Sequence, residues 1–301
     1  MLKGVQYLIN DIRTPLLPPN RFLYIDNNGI LNITDIDEAR CLYRRHAVLR
    51  ANRYKKRCYV TGAIYTELFH DCCDFINPIP GQTIEIDIDI GCNTITKVKI
   101  IYDVNSMNEY LVALNTLGKT LKEYNDNTSR RNNLDMGKMI VIGEGTKGNG
   151  SYGIYSITNS TDAITDATLS VTNLAEDYYI KNGFVEEISA IRDKSQNRGM
   201  CNNNFFVSSI VQSTDLVNAA HIDINDATEC ISTWTETDIG TSNNWYFILP
   251  NTTRDGGKAV IIKLKHGVTI KWDGRKLMHC STVGDTGDNN HVFGTFFCAR
   301  K

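Results

Sequence analysis

A histidine and an aspartate two residues apart, His221 and Asp223, and a later histidine, His279, are the side chains here best suited to act together. On an extended strand, residues two apart point to the same face. His221 and Asp223 can therefore aim an imidazole nitrogen and a carboxylate at one point. Residues 217–220 read as the strand that carries them, and 225–228 as the turn that follows. His279 lies in 276–282, a second short strand. Two imidazoles and one carboxylate on one side of a metal leave the other side open. Non-haem Fe(II) oxygenases use this set because O₂ and a reducing co-substrate must both reach the ion. The competing reading is a polar barrel rim with one hydrogen-bonded histidine, since a His-x-Asp and a distant histidine also arise by chance. A chain with six histidines has few to spare.

Other patterns point to chemistry less well. Residues 143–150, GEGTKGNG, are glycine-rich and follow a strand. A P-loop needs Ser or Thr after its lysine and then a helix, but Gly148 follows Lys147 and a strand comes next, which reads as a hairpin loop. Glu85, Asp87 and Asp89 form an acidic edge that could hold a divalent cation, or simply the wet face of an amphipathic strand. A helix expected over 37–56 carries Arg40, Arg44, Arg45, Arg50, Arg53, Lys55 and Lys56, with Arg57 just beyond. It could contact phosphates or be a solvated face.

The elements that must position these groups follow from periodicity. Ile84, Ile86, Ile88 and Ile90 alternate with the acids, which predicts a half-buried strand; a turn at 91–93 leads to its hairpin partner around Val98, Ile100 and Tyr102. Leu111, Leu114, Leu117 and Leu121 predict a helix over 108–124, followed by a polar loop at 125–133. Short strands are expected at 139–142, 152–157 and 168–172, and a helix between 174 and 192. Strand-like runs then recur at 205–211, 218–223, 230–235, 245–249, 259–264, 268–272, 276–280 and 292–299. Short strands joined by turns predict a jelly roll or double-stranded β-helix. The expected class is α+β: a mixed helix/strand N-terminal region, 1–135, packing on a double-stranded β-helix core, 136–301.

Composition bounds the function. The 301 residues are 42% hydrophobic, and 32 basic against 34 acidic side chains give a net charge of −2. That suits a buried core and excludes a polybasic coat for nucleic acid. No apolar run approaches a membrane span, and the first residues lack a secretory pattern, so an intracellular protein, nuclear or cytoplasmic and not secreted, is expected. Nine scattered cysteines with no Cys-x-x-Cys read as reduced, mostly buried thiols and exclude a zinc ribbon. The sequons at Asn32, Asn127, Asn159 and Asn251 read as accidents of an Asn-rich chain.

The runs GVTIKWDGR (267–275), MHCST (278–282) and NHVFGTFF (290–297) resemble the C-terminal barrel strands of the TET/JBP-like Fe(II)-dependent dioxygenases, especially divergent transposon-associated, algal or viral members. The resemblance covers 205–301. It implies Fe(II), O₂ and usually 2-oxoglutarate, with oxidation of a methyl group on a nucleic-acid base, 5-methylcytosine or thymine, in DNA more than RNA. Carried over, His221, Asp223 and His279 match the iron ligands. The family's 2-oxoglutarate arginine falls in a window that here spans 289–293 and holds none. His291 takes its place, and Arg300 and Lys301 come late. A relative that uses ascorbate would show this loss; alternatively Arg300, Arg275 or Lys263 reaches the co-substrate from another strand. Asn225, Asp226 and Ser281 are expected to orient the ligands, and Arg44, Arg45 and Arg53 to contact nucleic acid. A duplex base would have to be flipped out, with Trp234, Trp245, Tyr246 and Trp272 available to stack on it or to fill the core. Two other functions fit the same strands: a viral capsid or penton jelly roll without catalysis, and a cupin-like oxygenase for a small molecule.

Overall fold

The computed structural model describes residues 73–89, 94–124, 136–146, 151–196, 209–218, 220–250, 259–283, 286 and 289–301, with backbone strands β1 (Arg21–Ile25) and β2 (Leu31–Asp35) paired as a hairpin. The expected basic helix at 37–56, the turn at 91–93 and the loop at 125–133 lie outside the described residues.

Two sheets build the body. The larger contains β4 (Thr83–Asp89), β5 (Ile95–Tyr102), β6 (Met136–Thr146), β7 (Tyr152–Ile154), β8 (Ser209–Val217), β9 (Cys230–Glu236), β12 (Val268–Trp272) and β14 (Val292–Cys298), in the order β4-β5-β12-β9-β14-β8-β6-β7. The smaller runs β13-β10-β11-β3, with β3 at Asp74–Ile76, β10 at Tyr246–Leu249, β11 at Val260–Lys263 and β13 at Cys280–Thr282. From β9 onward the chain crosses repeatedly from one sheet to the other. That alternation is a double-stranded β-helix. Strands from before residue 103 complete both sheets: β5 pairs with β12, and β3 runs parallel to β11.

Side-chain alternation explains why the large sheet is buried on both faces. Ile100, Cys230, Trp234, Ile270 and Trp272 face the smaller sheet and pack with its Phe247, Leu249, Val260 and Ile262. Their neighbours Ile101, Ile231 and Phe297 face outward under three helices. β9 is therefore buried at every position, and such a strand reads as a continuous run rather than an alternation. At the sheet's edge, where one face is wet, the period-two pattern survives. There Glu85 and Asp87 are exposed and stand opposite Lys99 and Lys97 on β5, an ordinary cross-strand charge pairing.

The helices are α1 (Glu109–Glu123), α2 (Asp162–Lys181) and α3 (Val185–Gln196). Asn108 caps α1 by accepting the Tyr110 N–H, and Thr161 caps α2 by accepting from Ile164. A Cβ at Gly118 would lie 2.5 Å from the Phe293 ring, so glycine sets how closely α1 approaches the sheet. The expected strand at 168–172 is instead part of α2. Its threonines bond back along the helix, Thr168 Oγ1 to the Ile164 carbonyl, and Ile164, Ala167, Val171 and Ala175 are buried in the core it shares with α1. Residues 143–146 and 152–154 form the hairpin β6–β7, as the glycine spacing predicts.

Candidate metal centre

The site is made where two short segments meet. Residues 220–223 form no full strand. His221 instead makes a two-way backbone bridge with His279: each N–H donates to the other's carbonyl, at 3.0 and 2.9 Å. Asp223 leaves this line and its N–H donates to the Gly274 carbonyl at 2.8 Å. The 273–276 turn that offers this carbonyl is held by a buried carboxylate, Asp273, paired with two partly exposed cations. Asp273 accepts from Arg275 Nε at 2.7 Å and Nη2 at 2.8 Å, with Lys276 Nζ at 3.1 Å.

This backbone frame brings the three side chains together. One ligand-type atom from each of His221, Asp223 and His279 lies within 4.8 Å of the others. His279 Nε2 is 3.2 Å from Asp223 Oδ2, and His221 Nε2 is 3.7 Å from Oδ1. Donors about 2.1 Å from a shared ion sit roughly 3 Å apart when adjacent, so the spacing suits a bound metal. The His279 ring is oriented by its Nδ1, 3.0 Å from the Leu277 carbonyl. Nδ1 then carries a proton, and Nε2, which donates to Asp223 in the metal-free protein, is the nitrogen left to bind a metal once that proton is displaced. Burial alone would raise the Asp223 carboxyl. The charge of His221 and the hydrogen bond from His279 outweigh it, and the group titrates well below the usual carboxylate range. For His279, burial works the other way and is overcome by the bond and charge of Asp223, so its imidazole is raised. A carboxylate that stays ionised between two imidazoles is the donor set a divalent cation replaces protons to occupy.

The three line a cavity with Phe247, Ser281, Phe296, Cys298 and Arg300. Phe296 and Cys298 alternate along β14, and Arg300, two residues past its end in a bridge with Asp226, lines the cavity with them. Arg300 sits among Asp226 and Asp223, its Nε 3.8 Å from Asp226 Oδ1, and against the effect of burial its guanidinium is raised by Cys298 and then by Asp226, Tyr155 and Asp223. Asp226 is 3% exposed. Burial and the nearby Asp223 push its carboxyl up to about 7 against the opposing pull of Arg300.

The remaining residues singled out in the sequence fall as follows. Ser281 lines the cavity, and its N–H and Oγ bond Asn218 Oδ1 and the Leu216 carbonyl, tying β13 to β8. Asn225 is exposed and offers its carbonyl to Lys301 N–H. His291 and Arg275 do not line the cavity: His291 Nδ1 bonds Asp215 Oδ2 at 2.8 Å, and Arg275 is committed to Asp273 and the Ala227 carbonyl. Trp234, Trp245, Tyr246 and Trp272 are all buried, so they fill the core. Arg44, Arg45 and Arg53 lie outside the described residues. Leu277 and Gly274 act through backbone carbonyls, which residue type does not announce.

No protein-family model matches the chain, and no curated protein does. Among solved structures it is similar to NgTET1 in complex with 5mC DNA, at 8% identity and a TM-score of 0.47, over 87% of this chain and 90% of that one. An oxidoreductase of the 2OG-Fe(II) oxygenase family from Burkholderia pseudomallei overlaps 73% of this chain and 74% of its own, at 8% identity and 0.30. JOX2 in complex with 2OG, Fe and JA overlaps 67% and 68%, at 10% identity and 0.33. These likenesses are distant, and the functional reading rests on the geometry of the site.

Proposed function

We propose that the protein is an Fe(II)-dependent dioxygenase that uses 2-oxoglutarate and oxidises a methyl group on a base in DNA. The observation that carries the reading is the convergence of His221, Asp223 and His279 in one cavity with Arg300. Iron bound by the triad would supply the activation of O₂ coupled to oxidation of the 2-oxo acid. The chain's own part is to hold the three donors. Leu277 fixes the His279 tautomer, and Gly274 fixes the turn of Asp223.

Arg300 favours 2-oxoglutarate over ascorbate, because it places a cation in the cavity that the 289–293 window lacks. Its planar fork matches a carboxylate, and the apolar faces of Phe247 and Phe296 limit water around the reacting groups. A cavity built around two imidazoles, an aspartate and an arginine also favours an enzyme over a shell protein, which needs no such set. The base substrate rests on the resemblance of 205–301 and on the basic run at 40–57.

The test is anaerobic Fe(II) loading followed by parallel turnover of methylated DNA with 2-oxoglutarate or ascorbate. Wild type should turn over with 2-oxoglutarate, and His221→Ala or Asp223→Ala should not. The triple variant Arg44→Glu/Arg45→Glu/Arg53→Glu should lose DNA turnover while it still consumes 2-oxoglutarate. Unchanged DNA oxidation in that variant would favour a small-molecule substrate.

A further inference from the structure

Two thiols share the cavity with the triad, and neither has a part in the function above. β9 and β14 are antiparallel with Phe297 opposite Ile231. Continuing that register by one residue sets Cys298 directly opposite Cys230, at the end of each strand. Directly opposite residues have Cα atoms roughly 4.5–5.5 Å apart, inside the roughly 4.4–6.8 Å that a disulfide spans. Both side chains point to the same side: both line the cavity and belong to the core between the sheets. They are 4% and 2% exposed, and both are reduced. The cavity they line is the space beside them that a small oxidant could occupy. The two thiols are close enough to influence each other, as Cys298 and Asp226 are, and burial with Cys298 beside it raises the Cys230 thiol well above its ordinary range.

We propose that Cys230 and Cys298 are a redox site, a dithiol that closes to a reversible disulfide inside the cavity when peroxide enters. Hydrogen peroxide is the oxidant. One sulfur takes an oxygen as the O–O bond breaks, giving a sulfenic acid and water. The second sulfur then attacks, the S–O bond breaks, the S–S bond forms and a second water leaves. Two thiols lose two electrons and two protons, and one peroxide becomes two waters. A cross-link needs no large backbone movement because the register already sets the pair. It also takes Cys298 away from Asp226, beside Arg300.

The experiment uses the full chain without metal, so that its outcome does not depend on iron binding. The protein is treated with stoichiometric hydrogen peroxide, its remaining thiols are alkylated, and it is digested without reductant. The expected result is a cross-linked peptide pair joining Cys230 and Cys298 that dithiothreitol releases. Cys298→Ser should leave Cys230 carrying a sulfenic acid trapped by dimedone instead of a cross-link. Oxidation of either cysteine to sulfinic acid without the cross-link would overturn the proposal, as would a bridge to Cys280, which lines the same cavity. A wild-type protein whose two thiols stay fully alkylatable would overturn it too. Failure of Fe(II) to bind, with the cross-link formed, would count against the proposed function alone.

Discussion

Replacing Arg300 by glutamine removes the cavity's cation and nearly keeps its volume. A hydrogen bond to a charged partner contributes about 1.5–3 kcal/mol. At about 1.4 kcal/mol per factor of ten, Arg300→Gln should weaken 2-oxoglutarate binding roughly 10- to 100-fold. Arg300→Lys keeps the charge but loses the fork, so it should fall between the two. Removing one partner of a buried pair is normally severe, because the other charge is left alone. Asp226 has an exit: its carboxyl already titrates near 7, and losing Arg300 removes an influence that holds it down. It takes up a proton and the fold survives. The assay is calorimetric titration of 2-oxoglutarate into protein loaded with Mn(II), with a thermal melt of each variant. Wild-type affinity in a folded Arg300→Gln protein would refute the role of Arg300. Loss of Mn(II) along with 2-oxoglutarate would mean that Arg300 serves the triad instead.

Other predictions follow from the same geometry. Asp226 has a folded pKa raised from 3.8 to about 7. It favours the fold most below pH 4, and this contribution is lost as pH rises through about 7. In metal-free protein the loss should be roughly 2–4 kcal/mol between pH 4 and 8. Asp226→Asn should flatten that part of the curve in urea titrations at several pH values; an unchanged slope would contradict it. Gly267 has φ +89°, and a Cβ there would meet the Asp103 carbonyl oxygen at 2.0 Å. Gly267→Ala should cost at least about 1–3 kcal/mol, and a wild-type urea midpoint would show that the turn is not confined in this way. Phe247 is 1% exposed and packs on Trp272 and His279. Phe247→Ala should destabilise by about 3–5 kcal/mol and weaken metal binding, read by melting and titration; an unaltered melt would deny it a core role.

Only half of the triad is local: His221 and Asp223 are two residues apart, while His279 lies 56 residues beyond Asp223 on a separate run. What brings them together was less visible. Residues 220–223 hold a bridge and a turn in place of a strand, and the groups that fix them are the carbonyls of Leu277 and Gly274. Arg300 was one of three residues the sequence offered beside His291 and Arg275, and which of them lines the cavity is not visible from a count along the chain. Thr168 to Thr172 looked like a strand because β-branched residues favour one. Helical packing of Ile164, Ala167, Val171 and Ala175 overrides that preference. The pairing of β3 with β11 and of β5 with β12 depends on contacts far apart in sequence, which no local pattern encodes.

The most direct measurement is anaerobic Fe(II) titration of the wild-type chain beside His221→Ala, Asp223→Ala and His279→Ala, with melts to show that each is folded. One ion per wild-type chain and a large loss of affinity in every variant is the predicted result. Folded variants that bind iron as wild type does, or a wild type that binds none, would contradict a metal centre at these three residues.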